Sequence, residues 1–312
     1  MLNSGDTQTE SGRNVSRMPI WIRQQLGEGV HYGATLASVA GNKLHTVCEE
    51  ARCPNRGECW SRGTATFMLL GDTCTRACGF CSVKTGRPLA VDQDEPRRIA
   101  EAVDQLGLRY VVLTSVNRDD QADKGVGIFS ETLRALRTLD PAIGVEFLTP
   151  DFQGYQQQSV DHLQRILALT PFDNTDWPSL VWGHNVETVP GLYRIARKGS
   201  KYSRSLRLLE LAGDLEGVET KSAIMLGLGE QEHEVVAVLN DLHNAGVSRV
   251  SIGQYLRPTI KHLPVAEYIS PDAFAHYGDI ARRIGFQWVK SGPLVRSSYH
   301  AEEIQRELTG NK

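Results

Sequence analysis

Short apolar runs alternate with longer amphipathic segments along most of this chain. Each run is rich in aliphatic and aromatic residues, and the six runs lie at residues 65–70, 110–114, 145–148, 180–184, 221–226 and 250–255. Patterns of helical period follow at residues 129–139, 161–169, 203–212, 235–245 and 271–285. Strands that alternate with helices form parallel βαβ units with right-handed connections, so the pattern predicts an α/β fold.

The segment after the first predicted strand carries further helix signals. Asp94 is a suitable cap, Pro96 lies near the first turn, and Gly107 ends the helix. Six parallel strands are too few for the closed eight-stranded barrel. We therefore expect a partial (β/α)6 TIM-type barrel, with N-terminal and C-terminal extensions that cover its open end.

Polar residues follow the predicted strands, at residues 117–120, 149–151, 184–187, 227–230 and 254–258. In parallel barrels the working residues collect at the C-terminal ends of the strands, so these groups are expected to share one rim. Asn117 and Arg118 are candidates for holding a cofactor or substrate, and Arg204 is suited to binding a carboxylate through two hydrogen bonds. A salt-bridged rim without a ligand explains each of these residues equally well.

Composition and charge limit the classes of protein to which this chain can belong. The chain has 312 residues, of which 40% are hydrophobic and 23% charged, as in a globular protein of one large or two small domains. A net charge of -3 gives no general attraction to nucleic acid. No apolar run approaches the ~20 residues of a membrane helix. Residues 1–17 are polar with mixed charge, which predicts a disordered tail rather than a targeting peptide.

All six cysteines lie in one stretch and fall into two triplets: Cys48, Cys53 and Cys59, then Cys74, Cys78 and Cys81. A structural zinc site is normally closed by four ligands, whereas three cysteines leave one metal position for another ligand. Disulfides are disfavoured because no secretory signal opens the chain. A zinc site is disfavoured at the second triplet, which has no histidine at a suitable spacing, but His45 lies close to the first triplet.

The second triplet has the spacing C-x3-C-x2-C, and Phe80 directly precedes its last cysteine. This motif resembles that of the radical S-adenosylmethionine superfamily. The resemblance implies that the three cysteines hold a 4Fe-4S cluster whose fourth iron binds the amine and carboxylate of S-adenosylmethionine. The run from Ala223 through Met225 and Gly227 to Glu230 is similar to the motif that backs the adenine of that cofactor. A glycine-rich turn of this kind can also be only a strand-to-helix connection.

The C-terminal run Arg296-Ser297-Ser298-Tyr299, taken with the first triplet, is similar to the lipoyl synthase family. The resemblance covers about residues 20–305 and includes residues 47–51, 184–190 and 254–258. It implies that the first triplet carries an auxiliary 4Fe-4S cluster with Ser298 as its fourth ligand. Without the resemblance, the two serines would be interpreted as a turn or helix cap.

The family resemblance also implies a division of the chain. Residues 1–17 are the tail, residues 18–64 an extension with the auxiliary-cluster loop, residues 65–290 the radical S-adenosylmethionine barrel, and residues 291–312 an extension with the Arg-Ser-Ser-Tyr motif. The implied catalytic residues are Cys74, Cys78, Cys81 and Ser298. The implied cofactor-binding residues are Phe80, Asn117, Arg118, Asn185, Glu187, Arg204, Gly227, Gly229 and Gln254.

In this family, sulfur is inserted at carbons 6 and 8 of an octanoyl chain that is amide-linked to a lysine of a carrier protein. Two molecules of S-adenosylmethionine are consumed and give methionine and 5'-deoxyadenosine. The implied partners are an octanoylated lipoyl carrier domain, either the E2 subunit of a 2-oxoacid dehydrogenase or the glycine-cleavage H protein, and reduced ferredoxin or flavodoxin as electron donor. A cytoplasmic monomer is expected.

One stretch of basic residues is a candidate docking site for a partner protein. It contains no acidic residue and consists of Arg194, Arg197, Lys198, Lys201, Arg204 and Arg207. One interpretation is a docking site for an acidic carrier domain, and the other is a set of solvated helix faces.

Three kinds of alternative function stay open at this point. Another sulfur-inserting radical enzyme, such as a methylthiotransferase or a biotin-synthase-like protein, would place its auxiliary ligands differently. A non-catalytic iron-sulfur electron carrier would not cleave S-adenosylmethionine. A zinc-stabilised binding module would be colourless.

Overall fold

The computed structural model describes residues 18–22, 44–46, 55, 66–175 and 177–301. The predicted tail at residues 1–17, the first cysteine triplet and residues 302–312 of the C-terminal extension therefore lie outside the described residues. The prediction of Cys48, Cys53 and Cys59 as cluster ligands remains a prediction.

The described strands, in chain order, are β1 (His45–Thr46), β2 (Thr66–Leu69), β3 (Thr73–Cys74), β4 (Lys84–Thr85), β5 (Tyr110–Ser115), β6 (Gly144–Leu148), β7 (Leu180–Gly183), β8 (Val218–Leu226), β9 (Arg249–Gln254) and β10 (Trp288–Gly292). Eight of them form one sheet in the order β1-β2-β5-β6-β7-β8-β9-β10, and β3 pairs with β4. From β2 to β10 all neighbours run parallel, whereas β1 is antiparallel to β2. Except for β1, strands adjacent in this sheet follow one another in its chain order, as in a barrel.

The described α-helices are α1 (Glu95–Leu106), α2 (Val126–Leu139), α3 (Gln156–Leu169), α4 (Tyr193–Ala196), α5 (Tyr202–Gly213), α6 (Glu232–Asn244) and α7 (Pro271–Ile284). The signals predicted for α1 are present: Pro96 lies in its first turn, and Gly107 ends it in the left-handed region with φ 59°. Asp94 occupies the N-cap position, but its carboxylate pairs with Arg97 instead of capping a backbone N–H. None of the helices in the described ranges is long and apolar enough to cross a bilayer.

The α/β prediction is confirmed, and each of the six predicted strands is present. The described sheet contains one more parallel strand, β10, which pairs with β9 from Trp288 against Arg249 to Gly292 against Gly253. Only the first two residues of β10 are buried, so its apolar run is too short to mark a strand in the sequence.

Side chains from distant strands of the sheet meet in its interior. Tyr110 of β5, Val181 of β7 and Trp288 of β10 belong to one buried cluster, although four strands lie between β5 and β10 in the sheet order. Such contacts require the sheet to curl on itself, because a flat sheet would hold these strands far apart. The curvature agrees with a partial TIM-type barrel, whose outer face is covered by helices through apolar residues such as Leu133 and Leu239.

Candidate active site

The second cysteine triplet lies on a loop whose base is closed by two short strands. Cys74 is the last residue of β3, which pairs with β4, and the N–H of Gly86 donates to the Cys74 carbonyl at 3.0 Å. Cys78 and Cys81 lie on the loop between β3 and β4, and all three thiols are free and half-buried. The loop follows β2, so it lies at the rim formed by the C-terminal ends of the strands.

Two other segments hold the tip of this cysteine loop. The N–H of Gly79 donates to the Ala196 carbonyl at 2.8 Å, and the Gly79 carbonyl accepts from the N–H of Leu263 at 2.9 Å. A Cβ on Gly79 would lie 2.8 Å from the Ile195 carbonyl oxygen, so glycine is needed for this close approach. His262 adds a hydrogen bond from Nε2 to the Cys81 carbonyl at 3.0 Å. The loop position is therefore fixed by α4 and by the segment after β9.

The environment of the sulfurs suits an iron-sulfur cluster. Backbone N–H groups of Arg76 and Asn117 each donate to the Cys74 Sγ at 3.4 Å, which is a contact that stabilises a thiolate ligand. Burial raises the pKa of Cys78 to about 11 and that of Cys81 to about 12, and the neighbouring cysteines add to both shifts. Metal binding would offset the cost of burying a charged thiolate, because the cysteines bind a metal in their deprotonated form.

Three cysteine thiols on this loop are available as metal ligands. Within the described ranges, no three His, Cys, Asp or Glu side chains are placed to share one metal ion. The thiolates of a 4Fe-4S cluster bind different iron atoms, so they are further apart than the ligands of one zinc ion. Three thiols on one loop, with backbone donors to sulfur, fit a 4Fe-4S cluster in which one iron is left for another ligand.

A network of charged side chains fastens the cysteine loop to the rim. Arg76 lies between Cys74 and Cys78, and its guanidinium binds Asp119 in a bidentate pair at 2.6 and 2.7 Å. It also reaches Asp151 at 2.8 Å, and the other oxygen of Asp151 pairs with Nε of Arg204 at 2.9 Å. Burial acts to raise the pKa of Asp151, but the hydrogen bond and charge of Arg76 outweigh it and lower that pKa.

Arg76, Asp119 and Asp151 are not individually predicted as functional residues from the sequence. Asp119 and Asp151 belong to polar groups that were predicted at the strand ends, but their common partner Arg76 is distant in sequence. The partner of Arg204 within the described residues is the protein carboxylate of Asp151.

The segment after β7 places a second polar group beside the cysteine loop. Glu187 has a φ of 68°, and its backbone bonds with Ala223 and Met225 of β8 extend the sheet edge. Its Oε1 accepts from Nδ2 of Asn185 at 3.1 Å, so two predicted cofactor-binding residues contact each other. Burial raises the pKa of Glu187, and the charge of Arg197 opposes that shift.

His184, at the start of this segment, has both ring nitrogens engaged. Nδ1 lies 2.8 Å from the Thr149 carbonyl, which can only accept, so Nδ1 carries the proton and Nε2 accepts from the Ser205 hydroxyl at 2.9 Å. Burial lowers the pKa of His184 to about 4. The ring is therefore neutral at pH 7 and connects the ends of β6 and β7 to α5.

The ends of β8 and β9 form a tightly packed turn. Gly227 has a φ of 97°, and a Cβ there would overlap the side chain of Gln254 and the carbonyl of Glu267. The buried amide of Gln254 donates from Nε2 to the carbonyls of Leu226, Tyr255 and Glu267 and accepts from the N–H of Ile269 at 2.9 Å. Gly229 has a φ of 111° and is exposed, and the nearest atom to an added Cβ, that of Ala266, is 3.9 Å away.

The remaining predicted cofactor-binding residues have different surroundings. Arg118 is buried, pairs with Asp120 at 2.9 Å and donates to the Leu89 carbonyl at 2.9 Å, so its guanidinium ties neighbouring loops together. Asn117 contacts Cys74 through its backbone N–H. Phe80 is half-buried next to Cys81.

The C-terminal segment lies on the end of β9 and contacts Asn55. A Cβ on Gly253 would overlap the Val295 carbonyl, so the segment packs directly on the strand. Asn55, which lies between Cys53 and Cys59 in the sequence, donates from Nδ2 to the Leu294 carbonyl at 2.6 Å. Ser298, four residues further along, is half-buried. This hydrogen bond joins the two segments that are predicted to share the auxiliary cluster.

Comparisons with known proteins agree with these features. The model of the radical SAM superfamily matches residues 68–242. Lipoyl synthase of Rubrobacter xylanophilus is 49% identical over 91% of this chain and 85% of that protein. Lipoyl synthase 2 of Prochlorococcus marinus is 47% identical, covering 95% and 97% of the two chains. The mitochondrial lipoyl synthase of Nematostella vectensis is 49% identical, covering 91% and 94%.

Among solved structures, Streptococcus suis SuiB bound to S-adenosylmethionine has a TM-score of 0.52 at 12% identity, covering 76% of this chain and 53% of that one. SuiB bound to its precursor peptide SuiA also gives 0.52 at 12% identity, covering 80% and 54%. This chain spans about half the length of these structures, and the likeness concerns the fold alone. The sequence relatives carry the assignment: the chain belongs to the lipoyl synthase family of the radical S-adenosylmethionine superfamily.

Proposed function

We propose that this chain inserts two sulfur atoms, at carbons 6 and 8, into an octanoyl chain carried on a lysine of a lipoyl carrier protein. It is an enzyme of the lipoyl synthase class and uses S-adenosylmethionine and two 4Fe-4S clusters. The observation that carries the proposal is the Asn55 to Leu294 hydrogen bond, because Asn55 lies between Cys53 and Cys59 in the sequence and Leu294 lies four residues before Ser298.

The substrate explains why radical chemistry is needed. Carbons 6 and 8 of an octanoyl chain carry no acidic proton, so a side-chain base has no accessible route to them. When bound, the clusters and S-adenosylmethionine supply hydrogen abstraction and the sulfur atoms. The protein's part is to hold these groups and to exclude water from them.

We assign Cys74, Cys78 and Cys81 to the radical-generating cluster. The bidentate pair of Arg76 with Asp119 and the further contact with Asp151 hold the loop at the rim, so that three thiolates keep a fixed spacing. Asn185 and Glu187 are suited to the amine of S-adenosylmethionine, since Glu187 is close enough to Cys78 to raise the pKa of that thiol.

The other proposed cofactor-binding residues differ in whether their polar groups are already bonded within the protein. Gly229 is exposed, and Phe80 and Asn117 flank the cysteines, so these three are proposed as direct contacts. Gly227 is buried against Gln254 and Glu267, so we assign it to the turn that shapes the site. Arg118, Arg204 and Gln254 already have partners in the protein, so we assign them to shaping the site. This assignment revises their predicted role as direct ligands.

Ser298 is proposed as the fourth ligand of the auxiliary cluster, beside Cys48, Cys53 and Cys59. A serine oxygen is a harder ligand than a thiolate and is less suited to an iron-sulfur cluster, so it is the ligand that leaves most readily. A releasable ligand suits a cluster that gives up sulfur. The proposed domain boundaries follow: residues 18–64 and 291–312 supply this site, and residues 65–290 supply the barrel.

The substrate is a lipoyl carrier protein. Its proposed identity is an octanoylated E2 subunit of a 2-oxoacid dehydrogenase or the glycine-cleavage H protein. Reduced ferredoxin or flavodoxin is the proposed electron donor, and the enzyme acts as a cytoplasmic monomer.

Anaerobic reconstitution tests the assignment of the clusters. Two 4Fe-4S clusters correspond to about eight irons per chain. Replacing Cys48, Cys53 and Cys59 together by alanine is expected to halve the iron and abolish lipoyl product while S-adenosylmethionine cleavage with dithionite continues. Loss of cleavage in this variant would contradict the separate roles of the triplets, and colourless, zinc-loaded protein would contradict both clusters.

A further inference from the structure

The predicted basic stretch separates into buried, paired and free cations. Arg197 is buried and donates to the Asn185 carbonyl at 2.9 Å, while Arg204 and Arg207 pair with carboxylates. Arg194, Lys198 and Lys201 are exposed, and their side chains form no ion pair or hydrogen bond within the described part of the chain. These three cations line a cavity of about 790 Å³.

One large apolar residue on the same segment is exposed. Ile195, which directly follows Arg194, is 46% exposed. We call Arg194, Ile195, Lys198 and Lys201 the rim patch. Exposed charges of one sign attract a partner protein whose surface carries the opposite charge.

The rim patch adjoins the loop of the radical-generating cluster at two points. Ala196 accepts a hydrogen bond from the N–H of Gly79, one residue after Cys78. Ser200 accepts from Nη1 of Arg76 at 3.1 Å, and Arg76 lies between Cys74 and Cys78. The segment that displays the rim patch is therefore hydrogen-bonded to the cysteine loop.

We propose that the rim patch is the docking surface for an acidic one-electron donor protein that reduces the cluster held by Cys74, Cys78 and Cys81. The inference rests on the proposed function, in which each cleavage of S-adenosylmethionine consumes one electron. In the docked complex the donor is oxidised by one electron and the cluster is reduced by one. No bond forms or breaks in this step, and no proton is transferred.

Position and charge favour an electron donor over the carrier domain. Electron transfer slows steeply with distance, so a donor benefits from a surface in direct contact with the cluster loop. Transient redox partners use small interfaces, and opposite charge speeds their encounter. The carrier must instead place its octanoyl chain between the two cluster sites, one of which involves the segment on the end of β9. The rim patch follows β7, two strands away in the sheet.

The test uses the reconstituted holoenzyme with a reduced acidic flavodoxin as the probe. In the double variant Lys198→Glu/Lys201→Glu, flavodoxin-driven cleavage of S-adenosylmethionine at subsaturating flavodoxin is expected to be roughly tenfold slower at low ionic strength. The difference from the unsubstituted enzyme should shrink as salt is added, because salt screens exposed charges. Cleavage driven by dithionite, which needs no docking surface, should be unchanged, and so should the iron content.

A matched control changes the same number of charges elsewhere. Arg165 on α3 and Arg283 on α7 are exposed and have no ion pair in the described residues. Arg165→Glu/Arg283→Glu is expected to keep the flavodoxin-driven rate. If this control slows as much as the rim-patch variant, the effect comes from net charge and the docking proposal is overturned.

Two further outcomes separate the possibilities. A rim-patch variant that binds octanoylated carrier domain more weakly, but keeps the flavodoxin-driven rate, would identify the patch as a carrier site and overturn the proposal. Failure of the unsubstituted enzyme to cleave S-adenosylmethionine with dithionite would reject the proposed function itself. If the double variant no longer cleaves S-adenosylmethionine with dithionite, the flavodoxin-driven and dithionite-driven rates are compared instead in Lys198→Gln. This variant removes one unpaired charge.

Discussion

The buried charge of Lys221 is tolerated because it has a partner of opposite charge. Lys221 of β8 is buried and lies 2.9 Å from both carboxylate oxygens of Glu146 on β6. Its ammonium also lies 4.8 Å from the ring centroid of Trp288. Burial lowers the pKa of Lys221, and Glu146 opposes that shift. An ion pair of this kind adds little net stability, but losing one partner leaves an uncompensated charge.

Glu146→Gln is therefore expected to lower the free energy of unfolding by about 3–5 kcal/mol. Urea unfolding followed by the fluorescence of the buried Trp182 and Trp288 measures the change. Glu131→Gln is the matched control, because Glu131 pairs with Arg134 on the surface and such pairs contribute about 1 kcal/mol or less. Equal losses in both variants would show that Lys221 does not depend on its partner.

At the scale of elements, close packing of the C-terminal segment on β9 positions Ser298. In Gly253→Ala, the new methyl group would overlap the Val295 carbonyl and push the segment off the strand. We expect the auxiliary cluster to be lost, so iron content should fall towards half and lipoyl product should fall at least tenfold, while dithionite-driven cleavage of S-adenosylmethionine persists.

Gly213→Ala is the control for Gly253→Ala. Gly213 ends α5, and the nearest atom to an added Cβ is 3.8 Å away, an ordinary contact. Its iron content and product yield should match those of the unsubstituted enzyme. Full iron in Gly253→Ala would contradict the role of this packing.

The elements that could be predicted from the sequence are those with local signals. The bounds of α1 follow from Pro96 and Gly107, and the strands β5 to β9 follow from apolar runs long enough to stand out. β10 was missed because only Trp288 and Val289 are buried in it. Its place beside β9 depends on contacts that no local pattern encodes.

The same limit applies to the site. The cysteine spacing and the polar groups at the strand ends are local patterns in the sequence. In the structure, the cysteine loop and these polar groups lie at one rim of the sheet. The partners of Arg76, Arg118 and Gln254 are not local, so the sequence could not distinguish a ligand-binding side chain from one occupied by the protein. Three residues that fasten the cysteine loop, Arg76, Asp119 and Asp151, were missed individually for this reason.

At the scale of the whole molecule, the curl of the sheet relates the two cluster segments to each other. The cysteine loop follows β2, at one end of the parallel strands, and the Ser298 segment follows β10, at the other end. The two can act on one substrate chain only if the sheet closes enough to bring these ends towards each other. The buried cluster of Tyr110, Val112, Val181 and Trp288 spans that closure.

Weakening this cluster should uncouple the two halves of the reaction. Trp288→Ala removes a fully buried ring and should lower the free energy of unfolding by about 3–5 kcal/mol. The packing of β10 against β5 and β7 should weaken. Hydrogen abstraction and sulfur transfer would then occur less often on the same substrate, because their sites are no longer held together. The ratio of 5'-deoxyadenosine to lipoyl product, measured by mass spectrometry, should rise well above that of the unsubstituted enzyme.

A loss of stability alone should not raise that ratio, and Leu163→Ala separates the two effects. Leu163 of α3 is fully buried between helix and sheet, far from the contact of β5 with β10, and its truncation costs about 2–5 kcal/mol. Less of the Leu163→Ala protein should be in active form. Its ratio of 5'-deoxyadenosine to lipoyl product should stay unchanged, because both reactions decline together. If Leu163→Ala and Trp288→Ala raised the ratio equally, the curl of the sheet would have no specific part in coupling the clusters.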